Sequence, residues 1–180
     1  YDRVSGGAFE DAVFLSNHDQ NRVMSQLGGH PGRAKAAAAL LLTMPGKAYV
    51  YYGEEIGMEG MKPDENLRRP MRWEIAEAQA ADPDSLLNRY RTLIHWRKKE
   101  PALAGGGIAS HATGNDRVAS YWRIRGDERL LVLVNLSAET ERVPVGEDAA
   151  GLDIALATST DVRLSDGVAE LPPFEAAVLK

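Results

Sequence analysis

The chain contains no cysteine in its 180 residues, which excludes disulfides and any cysteine-based redox or metal site while leaving the compartment open. No apolar run reaches the roughly 18 residues that a membrane span requires. The densest one, over Ala36–Met44, is far shorter and reads as a packed helix, so no membrane partner is expected. Basic residues cluster no further than Arg97-Lys98-Lys99, and 21 basic against 26 acidic residues give a net charge of -5. No nucleic-acid or other phosphate-rich partner is indicated by such a balance. There is no calcium loop of the EF-hand pattern, so no cofactor is identified in this chain. Internal repeats are absent too. The amino terminus, Tyr1-Asp2-Arg3, has neither an initiator methionine nor a signal-peptide pattern, and it is expected to be a cut in a longer protein.

What is present suffices for a globular core, since 44% of the residues are hydrophobic. Residues 1–11, with Gly6-Gly7 and alternating charges, read as the tail of a preceding loop or helix. The apolar run Ala12–Leu15 then stops in Ser16-Asn17-His18-Asp19-Gln20, and Arg22 follows. That is the pattern of a buried strand presenting chemistry at its carboxyl end, although a turn with an Asx-type hydrogen bond has the same composition. Val23–Gly32 reads as a loop. Arg33–Thr43, dense in alanine and leucine, predicts a helix stopped by Pro45-Gly46. Lys47–Gly53 is rich in β-branched and aromatic residues and too continuous in hydrophobicity to be half exposed, which completes a parallel strand-helix-strand unit.

Glu54–Asp84 has no clean period and contains Pro63, Pro70 and Pro83, so it is expected to be a long functional loop. A helix is predicted from Asp84 to Lys99, capped by Asp84 or Ser85, with Leu86, Tyr90, Leu93 and Arg97 on one stripe and Pro101 closing it. After Gly105-Gly106-Gly107 the character changes. Val118–Ile124 and Leu130–Leu136 flank a hairpin connection, and Glu141–Val145, Ile154–Leu156, Val162–Leu164, Val168–Leu171 and Ala176–Leu179 follow closely. These runs predict an antiparallel β-sandwich.

Four segments together resemble the alpha-amylase family of glycoside hydrolases. Asn17-His18-Asp19 matches the triplet closing the seventh strand of that family's (β/α)8 barrel, and Lys47–Gly53 resembles the eighth strand. Tyr51-Tyr52-Gly53-Glu54-Glu55-Ile56-Gly57-Met58 is similar to the segment following it. Arg68-Arg69-Pro70-Met71-Arg72-Trp73 is similar to the Arg-x-Pro-Met-x-Trp loop of the bacterial alpha-amylase and alpha-glucosidase branch. The fold so implied is α/β plus β: residues 1–104 supply the last two strand-helix units of a TIM barrel, and residues 105–180 an antiparallel β-sandwich C-terminal domain.

By the same resemblance, Asp19 is the carboxylate that stabilises the transition state, His18 is a sugar ligand, and Arg68 lines the substrate site. A retaining glycosidase also needs a nucleophilic carboxylate and a general acid. In the family these close the fourth and fifth strands, and nothing in residues 1–11 resembles either segment. The implied substrate is an α-glucan or maltooligosaccharide, the implied partner is the upstream part of the same barrel, and calcium is left to that upstream part. Alone, the chain is expected to be inactive. Asn17 either holds the turn or touches substrate, Arg22 is either site-lining or in a surface ion pair, and Trp73 either stacks on a sugar or anchors its loop in the core. Glu54 and Glu55 leave a strand in different directions and are not taken as the acid and nucleophile. Two other readings stand beside this one, a non-catalytic amylase-like subunit and a carbohydrate-binding module built on Tyr121, Trp122 and Phe174.

Overall fold

The structure, a computed structural model, describes residues 10–180, so the tail expected over residues 1–11 lies almost wholly outside the described residues. The first strand, β1 (Ala12–Val13), pairs in parallel with β2 (Lys47–Ala48), in the register Ala12 to Lys47 and Val13 to Ala48. Lys47 N–H donates to the Asp11 carbonyl at 2.6 Å and Tyr49 N–H to Val13 at 2.8 Å, so pairing extends one step beyond each end. Both strands are shorter than the expected Ala12–Leu15 and Lys47–Gly53, and their flanks are open, with Phe14 44% and Tyr49 58% exposed. Among the described residues each strand has a single neighbour, so neither ladder nor packing continues where a second partner would be needed.

Between these strands lie α1 (Val23–Gln26), in a stretch expected to be loop, and α2 (Pro31–Thr43). Pro31 at the first helical position and the His30 side chain, which accepts from Arg33 N–H, start α2 two residues before the alanine run suggests. Ala34, Ala36, Ala38, Ala39, Leu41 and Leu42 are all buried, as the near-continuous apolar run predicts.

The segment expected to be one long loop contains a 3-10 turn at Glu54–Ile56 and two helices, α3 (Asp64–Leu67) and α4 (Trp73–Ala81). No residue of α4 is buried, so it writes no apolar stripe into the sequence; alanines and glutamates favour the helix, and Gln79 ties it to the Ile56 carbonyl and the Leu87 N–H. Next, α5 (Leu86–Lys99) is capped by Ser85 Oγ, which accepts from Asn88 N–H at 3.1 Å, and it buries Leu86, Arg89, Tyr90 and Leu93. Arg97, the last member of the predicted stripe, turns its guanidinium to the carbonyls of Leu42 (3.0 Å) and Met44 (2.8 Å), closing the carboxyl end of α2. Pro101 ends α5 and also opens a short helix, α6 (Pro101–Gly105).

The remaining strands are β3 (Gly107–Ser110), β4 (Val118–Arg125), β5 (Glu128–Asn135), β6 (Glu141–Pro144), β7 (Ile154–Ala157), β8 (Arg163–Ser165), β9 (Val168–Leu171) and β10 (Ala176–Leu179). They form a five-stranded sheet in the order β3-β4-β5-β10-β7 and a three-stranded sheet in the order β6-β9-β8, antiparallel throughout. Alternation along β5 divides its side chains between two cores. Leu130, Val132 and Val134 face α2 and α5, whereas Leu131 and Leu133 face the three-stranded sheet with Trp122, Val143, Leu171 and Leu179. The five-stranded sheet is therefore the middle of three layers, which is why β5 reads as an unbroken apolar run.

Several polar contacts fasten the helical layer to that sheet, two of them made from β4. Tyr121 Oη lies 2.6 Å from Thr43 Oγ1, and Arg123, fully buried, donates to the carbonyls of Thr43, Gly106 and Gly107. Burial drives the Arg123 guanidinium down to about 10 and the Tyr121 phenol up to about 12. No described helix is long and apolar enough to cross a membrane.

Candidate active site

At the carboxyl end of β1 the chain turns on Asn17, whose Oδ1 accepts from Asp19 N–H at 2.9 Å while its carbonyl accepts from Gln20 N–H at 3.3 Å. Asn17 thus holds the turn, and the side chains of His18 and Asp19 project outward with 63% and 62% exposure. His18 Nε2 lies 3.2 Å from Asp19 Oδ2. From the loop after α3, Arg68 Nη2 reaches Asp19 Oδ1 at 3.0 Å, and its Nε donates to the His18 carbonyl at 3.2 Å. All three residues predicted for the site, His18, Asp19 and Arg68, therefore meet at one point, 49 residues apart in sequence for the Asp19–Arg68 pair.

Asp64, which the sequence reading passed over, also belongs to this cluster. Its Oδ2 accepts from Arg68 Nη2 at 2.9 Å, an i,i+4 pairing made by the short helix that the sequence reading took for loop. A hydrogen bond from Lys62, followed by the charges of Lys62, Arg68 and His18, holds the Asp64 carboxyl below its ordinary value. The group is open to water, so each of its ion pairs is screened and weak, and a ligand can displace or share them.

Beneath this open cluster lies a buried one. Glu54, 3% exposed, accepts from Ser16 Oγ at 2.9 Å and from Tyr90 Oη at 3.0 Å. Burial raises its carboxyl above the ordinary value, with the two hydroxyls pulling it part of the way back. The Tyr90 phenol, buried and facing that carboxylate, is pushed far above its usual range and remains a donor. Glu54 thereby joins the end of β1 to α5 and has no access to the open site. This agrees with its exclusion as acid or nucleophile.

Arg22 is neither site-lining nor in a surface ion pair. It is 1% exposed, donates from Nε to the Leu67 carbonyl at 2.9 Å and from Nη1 to the Tyr52 carbonyl at 2.7 Å, and lies over the rings of Tyr51 and Tyr52. A positive charge buried without a carboxylate leaves no mark in a linear pattern. Trp73 does not anchor its loop in the core, being 68% exposed. Tyr121, Trp122 and Phe174 are buried at 7%, 3% and 7%, so they form core and not a sugar-stacking face. Among the described residues no three His, Asp or Glu side chains converge into a group that could hold a metal ion.

Residues 2–106 match the alpha-amylase catalytic domain, and residues 105–178 match a domain family of unknown function, DUF3459. The chain is 36% identical over 152 residues to Alpha-amylase 3 of Dictyoglomus thermophilum, a stretch covering 72% of this chain and 30% of that protein. It is 35% identical over 164 residues to Alpha-amylase SusG of Bacteroides thetaiotaomicron, covering 75% of this chain and 24% of the relative. The solved alpha-amylase from H. orenii superposes with a TM-score of 0.89 at 33% identity, covering 99% of this chain and 41% of its own length. The chain thus spans less than a third of those curated relatives, and its fold is that of the end of a TIM barrel followed by a β-sandwich. With its catalytic-domain match, its fold and its Asn17-His18-Asp19 strand end in agreement, the chain belongs to the alpha-amylase family.

Proposed function

We propose that this chain is the carboxyl-terminal portion of a retaining glycoside hydrolase acting on α-linked glucans such as starch, maltodextrin or related oligosaccharides. In this reading residues 1–104 complete a catalytic barrel and residues 105–180 form the domain that follows it. The observation that carries it is the convergence of His18 and Arg68 on the two oxygens of Asp19, at an open strand end. Positive charge develops on the sugar ring in an oxocarbenium-like transition state, and a short ionised carboxylate beside the ring stabilises it. Arg68 keeps Asp19 oriented through its planar fork, and it and His18 offer hydrogen bonds to sugar hydroxyls. The nucleophile and general acid are supplied by the upstream part of the same barrel.

In the full-length protein, Asp19→Asn keeps the shape but removes the charge. Turnover of maltooligosaccharides is expected to fall on the order of 10²–10³-fold, the scale of losing one preorganised electrostatic group. An unchanged rate with an intact fold would remove Asp19 from the chemistry, whereas no turnover by the full-length wild type would favour a non-catalytic, amylase-like subunit. The isolated 180-residue chain is expected to show no turnover, and measurable hydrolysis by it would sink the proposed division of labour.

A further inference from the structure

Asp19 and Arg68 meet at 3.0 Å on the open surface, a solvent-screened contact too weak to fix a loop. The loop bearing Arg68 must be held by something else: Tyr51 Oη donates to the Leu67 carbonyl at 3.2 Å and Tyr52 Oη to the Arg69 carbonyl at 2.7 Å, and Arg22 reaches the same loop from the buried side. Arg22 stands three residues after Asp19, and its Nε bonds the carbonyl of Leu67, the residue immediately before Arg68. Its backbone N–H donates to the Gly60 carbonyl at 2.9 Å, and its Nη1 takes the Tyr52 carbonyl at the end of the β2 segment. A neighbouring tie runs from Lys62 N–H to Asn21 Oδ1 at 2.8 Å, and another from Gly60 N–H to Ser25 Oγ at 2.9 Å.

We propose that Arg22 is a positioning residue that sets Arg68 against Asp19. The inference rests on the functional reading above. Three features of the side chain suit the task and no other residue type combines them. Its planar fork spans two carbonyls on different segments, its face lies 4.6 and 4.8 Å from the centroids of the Tyr51 and Tyr52 rings, and its charge persists when buried. No carboxylate is among its partners in the described residues, so the ionic attraction of Asp19 is left to Arg68. Lysine retains the charge but can neither bridge the two carbonyls in one plane nor stack in the same way.

The test is Arg22→Lys in the full-length protein, assayed by maltooligosaccharide turnover beside thermal unfolding, in the wild-type and the Arg68→Ala backgrounds. In the wild type kcat is expected to fall on the order of 10²-fold with KM little changed, the scale of an approximately 1 Å misplacement. In the Arg68→Ala background the same substitution is expected to change kcat less than about twofold, because the group it positions is already gone. An equal loss in both backgrounds, or an unaltered kcat in the wild type, overturns the inference. Should Arg22→Lys fail to fold, Arg22→Gln, whose single amide group is too short to span both the Leu67 and Tyr52 carbonyls, is read by the same cycle. Asp19→Asn run alongside separates the two failures. If it retains full rate, the functional reading falls and this inference with it; if it abolishes turnover while Arg22→Lys is silent, only the positioning role falls.

Discussion

Replacing Glu54 with glutamine should change how stability depends on pH more than stability itself. The folded chain holds the Glu54 proton more tightly than the unfolded chain does, because burial opposes the charge more strongly than the Ser16 and Tyr90 hydroxyls favour it. The stabilisation from this group is therefore fully present below the unfolded value, about 4.3, and is lost as pH rises through the higher folded value. Glutamine does not titrate, so the unfolding temperature of Glu54→Gln relative to wild type should climb with pH across that window. Once Glu54 is ionised in the wild type, the difference should level off.

At neutral pH the amide still accepts from one hydroxyl and can donate to the other, which keeps the expected change within about 1 kcal/mol. Glu54→Leu removes both acceptors and leaves two inward-facing hydroxyls unpaired, at about 1–3 kcal/mol each, or about 2–6 kcal/mol together. Scanning calorimetry of the full-length wild type and both variants, from about pH 4, near the ordinary carboxyl value, up to about pH 8, makes the comparison. Variant-minus-wild-type curves that stay flat for glutamine, or fall with rising pH, would refute the claim that burial outweighs the hydrogen bonds.

Two further outcomes follow from the packing. Arg123→Met should lower the unfolding temperature by leaving the buried carbonyls of Thr43 and Gly106 unpaired, about 1–3 kcal/mol for each, whereas Ile108→Ala on the exposed edge should be nearly silent; similar losses from both would show that the Arg123 contacts add nothing. Gly60→Ala would set a Cβ 2.4 Å from the Asn66 carbonyl and 3.3 Å from Arg22 Cδ, so the loop carrying Arg68 must shift; KM and kcat in the full-length protein should both worsen, and wild-type kinetics would show that the loop has slack.

The sequence declared those elements whose burial is periodic or whose ends are punctuated. Val168–Leu171 and Ala176–Leu179 coincide with β9 and β10, since Gly167 and Pro172-Pro173 bound the first and Phe174-Glu175 turns the chain into the second. The hairpin between β4 and β5 is tighter than the predicted Arg125–Arg129 connection. Arg125 pairs with Glu128, which leaves only Gly126 and Asp127 at the bend, with Gly126 at φ 58. Helix α4 escaped notice because nothing on it is buried. At the site, Asn17, His18, Asp19 and Arg68 were readable from family likeness, whereas Asp64 joins them only through a one-turn helix in a stretch that reads as loop. The layer underneath was not, since Ser16, Glu54 and Tyr90 lie 36 to 38 residues apart from one another's contacts and each is an ordinary residue until the fold brings them together.

Adjacent residues of α5 serve opposite sides of the molecule. Tyr90 grips Glu54 below the open site, and Arg89 grips Glu175 and the Thr158 carbonyl of the β-sandwich. For anyone exchanging domains between relatives, this helix defines the seam. A chimera cut at Gly105–Gly107 that imports a sandwich lacking a carboxylate opposite Arg89 would strand that guanidinium at the junction and loosen the helix one residue away from the Glu54 anchor. A graft that carries the helix together with its own sandwich shifts the mismatch to the Ser16–Glu54–Tyr90 contact. Swaps should therefore succeed when Glu175 and Glu54 are matched as a set, and their compatibility, more than overall identity, is the criterion by which donor domains should be chosen.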